Sequence, residues 1–256
     1  MNLSSLLAVF QFEWRRSFSG FRIAAWLVLA LFTPAVILLL QSNSASVPPN
    51  YIFGTIIFYL VVEVTCLLGL LLWAAPMIQS ELESNSWIYC AVRPYGRIHV
   101  LLGKYCNAIA WVFLAAATAV SITSRFVTMV EVGQFWRVAM VLILLGCMTY
   151  GALFALMAVL FPNRAMVVAV VYTIVFEGFM GFIPATINQL TVQYRLRSLL
   201  VGWMGWTDQL PTEWLLSISG APPLQDVLIL IATTIGLLGI SCFFIGYREY
   251  ITGRHD

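Results

Sequence analysis

Six long apolar stretches constrain the fold of this chain more than any other feature of its sequence. They cover residues 23–40, 52–76, 105–122, 138–161, 165–187 and 224–247. A helix needs about 20 mainly apolar residues to cross the hydrocarbon layer of a bilayer, which is roughly 30 Å thick. The stretches are continuous and not alternating, so they predict helices and not barrel strands. We therefore expect an all-α polytopic membrane protein with six transmembrane helices, forming a single domain over residues 1–256.

The composition excludes two other classes of protein. Charged residues make up 9% of the chain and its mean hydropathy is +0.93, whereas a soluble domain carries about 25% charged residues. The net charge of +2 is too small for a nucleic-acid-binding protein, whose footprint is a strongly basic patch.

The distribution of Lys and Arg predicts the orientation. With the N-terminus inside, the cytoplasmic segments hold Arg15, Arg16, Arg22, Arg93, Arg97, Lys104, Arg164, Arg248 and Arg254. The outer segments hold Arg125, Arg137, Arg195 and Arg197. Because positive residues concentrate on the cytoplasmic side, we expect both termini to lie in the cytoplasm. The expected location of the chain is the inner or plasma membrane. The first apolar stretch is longer than the 7–15 residues typical of a signal peptide, so we do not expect cleavage.

The N-terminal segment, residues 1–22, has the pattern of an amphipathic helix. Its apolar residues recur at helical spacing: Leu3, Leu6, Leu7, Phe10, Trp14 and Phe18. The other face carries Gln11, Glu13, Arg15 and Arg16. This pattern predicts a helix that lies on the cytoplasmic leaflet, packs on the bundle, or does both.

The outer segment, residues 188–223, is the longest connection. Its apolar residues follow a spacing of three to four: Val192, Leu196, Leu199, Trp203 and Trp206. Gln193, Arg195 and Arg197 lie opposite. The segment is predicted to form an interfacial or re-entrant helix with tryptophan anchors.

Most motifs of enzymes and metal sites are missing. The two histidines, His99 and His255, lie outside the spans, and no HExxH or CxxC pattern occurs. The run that ends in Gly103-Lys104-Tyr105 is not a phosphate-binding loop. Ile98 stands where that motif needs its first Gly, and Tyr105 stands where it needs Ser or Thr. The five cysteines are scattered singly, so no disulfide framework is expected. We therefore predict no catalytic residues, no metal site and no cofactor on this chain.

Two carboxyl residues, Glu63 and Glu177, lie within the apolar stretches. A carboxylate at that depth is costly and usually faces protein or a water-filled cavity. One interpretation is that they line a translocation path or bind a cation or proton. The other is that each forms a structural hydrogen bond to a neighbouring helix. No Lys or Arg lies within the spans to pair with them.

The cytoplasmic loop, residues 77–104, carries charges in an otherwise charge-poor chain. Ser80 and Glu83 fit a capping box, and Pro94 should end a short helix over residues 81–92. The loop contains Glu81-Leu82-Glu83, Trp87-Ile88-Tyr89, Arg93-Pro94, Arg97 and Leu102-Gly103-Lys104. These motifs resemble the corresponding loop of type-2 ABC (ATP-binding cassette) exporter permeases, although Ser84-Asn85-Ser86 replaces a common Gly-Thr pair.

The resemblance extends to the layout: an amphipathic helix, six spans and a long outer segment. It implies a dimer, with a second copy or a sister permease, that docks separate ATPase subunits, which would hold the ATP and Mg²⁺. The short helix would be the coupling helix between spans 2 and 3. The implied coupling residues are Glu81, Glu83, Arg93, Pro94, Arg97, Gly103, Lys104 and Arg164. The alternatives are a secondary carrier or channel that uses Glu63 and Glu177, or a non-transporting membrane anchor for an ATPase.

Overall fold

The computed structural model describes residues 3–43, 49–83, 96–127, 131–179, 191–209 and 222–248, and all their regular elements are helical. In chain order they are α1 (Leu3–Arg16), α2 (Gly20–Asn43), α3 (Asn50–Trp73), α4 (Gln79–Glu83), α5 (Gly96–Phe126), α6 (Val132–Leu160), α7 (Ala165–Tyr172, continued by a π-helical segment Thr173–Phe179), α8 (Val192–Met204) and α9 (Pro223–Tyr247). The middle of α3, Tyr59–Cys66, is also π-helical.

Within these ranges five helices are long and apolar enough to cross a membrane: α2, α3, α5, α6 and α9. They coincide with five of the six predicted spans, which confirms the helical, multi-pass architecture. The remaining predicted span, residues 165–187, is helical as far as Phe179. Its last eight residues lie outside the described ranges.

Helices α5 and α6 form the centre of the bundle, and α3 packs against both. Small residues permit the close approach, as expected where helices associate in lipid. A Cβ on Gly69 of α3 would lie 2.9 Å from the Val112 side chain of α5. Cys66 of α3 and Cys147 of α6 are fully buried, with their sulfur atoms 3.7 Å apart.

Helices α2 and α9 lie at the periphery, and their outward faces are apolar. Exposed side chains include Phe21, Val28 and Leu39 on α2, and Leu228, Ile235 and Phe243 on α9. In water such faces would be unfavourable, so they are suited to lipid or to another apolar helix.

Helix α1 packs across α5. The Trp14 and Trp111 rings lie 5.1 Å apart, and Asn107 donates a hydrogen bond to Ser17 over 3.0 Å. Glu13, on the face opposite the apolar residues of α1, is buried against the bundle. The sequence periodicity could not show this burial, since Lys104, the buried basic partner of Glu13, comes from α5.

Helix α8 runs antiparallel to α6, and its last turn lies at the start of α6. Gln134 donates to the Trp203 carbonyl over 2.9 Å, whereas a Cβ on Gly146 would lie 3.3 Å from Leu196. Just beyond α8, a Cβ on Gly54 would overlap the Trp206 ring. The first turn of α8 therefore lies deep in the bundle, and Trp206 fills the notch left by Gly54 near the start of α3.

Candidate functional site

A largely buried ionic cluster joins α1, α4 and α5. The Lys104 ammonium lies 2.5 Å from Oε1 of Glu81 and donates to the Met77 carbonyl and the Ser80 hydroxyl, each over 3.0 Å. Lys104 and Glu81 are each 6% exposed. Since Lys104 belongs to α5 and its partners belong to α4 and the turn before it, the cluster fixes the short helix to a spanning helix.

Helix α1 contributes two further charges to this cluster. Arg16 donates to Oε1 of Glu81 over 3.3 Å and lies 3.7 Å from Oε1 of Glu13. Glu13 in turn lies 3.8 Å from the Lys104 ammonium. Two carboxylates and two cations thus share this site, in which Glu13, Glu81 and Lys104 are buried and Arg16 is partly exposed. Removing Lys104 would leave uncompensated charge away from water, which is strongly destabilising.

The structure modifies the prediction for the start of the short helix. Helix α4 begins at Gln79, and the Ser80 hydroxyl donates to the Met77 carbonyl over 3.2 Å. Ser80 lies inside the helix and is therefore not the N-cap residue of a capping box. Its hydroxyl oxygen instead accepts a hydrogen bond from Lys104. The predicted helix over residues 81–92 is described only as far as Glu83, and Arg93 and Pro94 lie outside the described ranges.

The other predicted coupling residues are distributed over the same end of the bundle. Glu83 and Arg164 are exposed, and Glu83 accepts a hydrogen bond from Gln79 over 2.8 Å. Gly103 lies under α1, where a Cβ would lie 2.6 Å from Val9. The absence of a side chain at Gly103 therefore permits α1 to cross α5.

Arginines cap the C-terminal ends of α9 and α6. Arg97 donates to the carbonyls of Gly246 and Arg248, over 3.5 Å and 3.1 Å. Arg248 donates to the carbonyls of Val159 and Leu160, over 3.2 Å and 2.6 Å. The last carbonyls of a helix lack intrahelical donors and carry partial negative charge. These contacts link α5, α9 and α6 at the end that holds the ionic cluster.

A second polar cluster surrounds the first turn of α8, and it includes both predicted intramembrane acids. Gln193 donates its side-chain amide to Oε1 of Glu63. One helical turn further along α8, the Arg197 guanidinium lies over the Tyr59 ring, 5.2 Å from its centroid. This distance is within the range of a cation–π contact.

Glu177 of α7 closes the other side of this cluster. Its carboxyl group accepts hydrogen bonds from the Tyr150 hydroxyl over 2.9 Å and the Tyr172 hydroxyl over 3.3 Å. The first turn of α8, at Val192 and Gln193, lies close to the same group. The N-cap residue of α8 is Thr191, whose hydroxyl accepts from the Tyr194 amide over 3.3 Å. Glu177 lies beside this helix N-terminus, where the helix dipole favours an acidic group.

Both acids lie in π-helical segments, Glu63 in Tyr59–Cys66 and Glu177 in Thr173–Phe179. Such segments are uncommon and occur frequently at functional sites. Glu63 and Glu177 each have a hydrogen-bond partner on a neighbouring helix, as the structural interpretation expected. That they line a translocation path stays a prediction.

Sequence reasoning missed the donors of this cluster. Periodicity placed Gln193 and Arg197 opposite the apolar residues of α8 and gave them no partners, and the structure buries them to 0% and 5% exposure. One signal was present. Gln193 and Arg197 are four residues apart, as are Glu63 and Tyr59, so each pair occupies one helix face and the two pairs can match across antiparallel helices.

Neither cluster has the composition of a metal site. Within the described ranges no group of three or more His, Cys, Asp or Glu residues is placed to hold a metal ion. Comparison with known proteins adds no assignment: no protein-family model matches the chain, and no curated protein matches it. The function therefore has to be argued from the two clusters and from the architecture that holds them.

Proposed function

We propose that the chain is the membrane permease subunit of an ABC exporter, which forms a dimeric translocation path driven by a separate ATPase subunit. The observation that carries the proposal is the ionic cluster of Glu13, Arg16, Glu81 and Lys104, in which all but Arg16 are buried. A helix that transmits force from a soluble ATPase must be fixed to the spans. Helix α4 meets this requirement, because Lys104 of α5 binds the Glu81 side chain of α4 and also the Met77 carbonyl in the turn between α3 and α4.

The proposal includes the finer topology. Six helices cross the membrane, with α7 as the fifth, and both termini lie in the cytoplasm. Helix α8 is then re-entrant from the outer face. Its C-terminal end lies beside the first turns of α3 and α6, while Gln193 meets Glu63 thirteen residues into α3. Thirteen residues correspond to about 20 Å of helix.

In this proposal the exposed charges contact the ATPase, and the buried ones maintain the shape of the coupling element. Glu83 and Arg164 are the exposed members, and charges at the rim of an interface mainly set association rate and register. ATP would drive transport by stabilising one state of the permease dimer more than the other.

The experiment is purification of the tagged chain from its native membrane, with identification of the subunits that co-purify. Glu83→Arg should lower recovery of the ATPase or uncouple its hydrolysis from transport. Glu131→Arg is the matched control, because it makes the same charge reversal at an exposed site at the other end of the bundle. Absence of any ATPase from the wild-type preparation would exclude the exporter proposal.

A secondary carrier is the alternative with structural support, because Glu63 and Glu177 converge on α8. A carrier would move substrate in proteoliposomes that contain no ATPase, and transport would respond to an ion gradient. An exporter permease would be inactive there until ATPase and ATP were supplied. The third alternative, an anchor, predicts that an ATPase co-purifies but that no transport follows.

A further inference from the structure

Arg197 has an unfilled hydrogen-bonding face inside the bundle. It is 5% exposed, and among the described residues no acceptor lies within hydrogen-bond reach of its Nε or Nη2. A buried guanidinium normally has partners for its donors, because an unpaired buried charge is costly. Arg195, two residues earlier, has such a partner in Asp226 at 2.8 Å.

The two free donors of Arg197 belong together chemically. The N–H groups on Nε and Nη2 point to the same side of the planar guanidinium. They form one of the forks that bind two oxygens of a carboxylate or phosphate at once. What Arg197 lacks is therefore one complete bidentate contact with an anion.

The nearby carboxyl groups do not use this fork. Glu63 accepts a hydrogen bond from the side-chain amide of Gln193, and Glu177 accepts hydrogen bonds from two tyrosine hydroxyls. The Oε1 atom of Gln193 is also without a donor among the described residues, and Gln193 is fully buried. Gln193 lies one turn from Arg197, so a ligand with anionic oxygens and a hydroxyl group would satisfy both side chains.

The position favours an anion carried on an apolar molecule. Tyr59, which lies beneath the guanidinium, is nine residues or about 14 Å into α3. On α7, the residues before Glu177 present apolar side chains outward, namely Ile174, Val175 and Phe176. An amphiphile can keep its tail on such a surface while its headgroup approaches Arg197, whereas a free ion must lose its hydration shell.

We propose that Arg197 and Gln193 bind the anionic headgroup of an amphiphilic substrate, a lipid or lipid-like molecule with a phosphate or carboxylate and a hydroxyl. The inference rests on the proposed function, since it names the substrate class for that exporter. It is nevertheless tested on the permease alone, so its failure leaves ATPase co-purification unaffected.

The test measures thermal unfolding of the full chain in neutral detergent micelles during titration with three probes. These are phosphatidylglycerol, phosphatidylcholine, and inorganic phosphate at constant ionic strength. A ligand that binds only the folded state raises Tm in a concentration-dependent way, from which an apparent Kd follows. We expect phosphatidylglycerol to raise Tm and the other two probes to have little effect.

Three variants locate the binding group. Arg197→Lys keeps the charge but lacks the fork, so the affinity for phosphatidylglycerol should fall about ten-fold. Glu63→Gln removes a competing negative charge and should raise it. Arg137→Lys, an exposed outer arginine, is the control and should leave it unchanged.

The proposal is overturned if phosphatidylglycerol and phosphatidylcholine act alike, or if inorganic phosphate acts as strongly as the anionic lipid. It is also overturned if Arg197→Lys and Arg137→Lys lower the affinity equally. If Arg197→Lys does not fold, the wild-type and Glu63→Gln titrations decide. If the Glu63→Gln variant binds phosphatidylglycerol with the same affinity as the wild type or with a lower one, then Glu63 and not a ligand serves as the counter-ion of Arg197.

Discussion

Lys104 is the residue on which the ionic cluster depends most. Lys104→Met would leave Glu81 and Glu13 buried with only the partly exposed Arg16 as counter-ion. Breaking a buried ion pair costs about 3–5 kcal/mol, so we expect a clear fall in Tm, measured by thermal unfolding in detergent. Arg164→Met, which alters an exposed residue, is the control. Equal Tm values for the two variants would contradict the assignment, and Glu81→Leu added to Lys104→Met should recover part of the loss.

Tyr150 and Glu177 should behave as an energetically coupled pair. Tyr150→Phe leaves one acceptor of a buried carboxyl group short of a donor, which costs about 1–3 kcal/mol. Glu177→Gln weakens the same contact, so the double variant should lose less stability than the two single losses added together. Tyr172→Phe, at the longer 3.3 Å contact, should couple more weakly. A double-mutant cycle of unfolding free energies measures both, and strict additivity for Tyr150 would show that its hydroxyl does not serve Glu177.

At the scale of elements, the packing of α3 on α6 can be tested by cross-linking. Cys66 and Cys147 are buried with their sulfur atoms 3.7 Å apart, close enough for a disulfide after a small shift. A membrane-permeant diazene such as diamide, which accepts the two hydrogens, should join them within one chain. Mass spectrometry of the digested protein detects the linked peptides, and Cys66→Ser is the control. Separate alkylation of both cysteines after oxidant treatment would contradict this packing.

The spanning helices could be predicted from sequence, but the clusters could not. The length of an apolar run is a local property, and five of the six predicted spans coincide with described helices. The burial of Glu13 and Arg197 depends on partners that are far away in the chain, Lys104 and Tyr59 respectively. Periodicity assigns a charged residue to the solvent side by default, and this default fails wherever another helix supplies an opposite charge or an aromatic face.

At the scale of the whole molecule, the proposed orientation predicts which side of the membrane each turn faces. Cysteine introduced at Glu131, an exposed residue before α6, should react with an impermeant maleimide on intact cells. Cysteine introduced at Asn163, exposed between α6 and α7, should react only after the membrane is opened. The physical reason is the excess of Lys and Arg at the end that includes Asn163. The reverse labelling pattern would invert the topology and with it the assignment of α4 to the cytoplasm.

The notch at Gly54 has a consequence for how such chains can diverge. The Trp206 ring occupies the space that a side chain at position 54 would need. Which substitutions are tolerated at position 54 therefore depends on the residue at position 206. A larger residue at 54 is tolerable only in a lineage whose residue 206 has already become small. In an alignment of orthologues, a larger side chain at position 54 should therefore occur together with a smaller side chain at position 206. Loss of the tryptophan alone should be survivable, whereas growth at 54 alone should be almost absent.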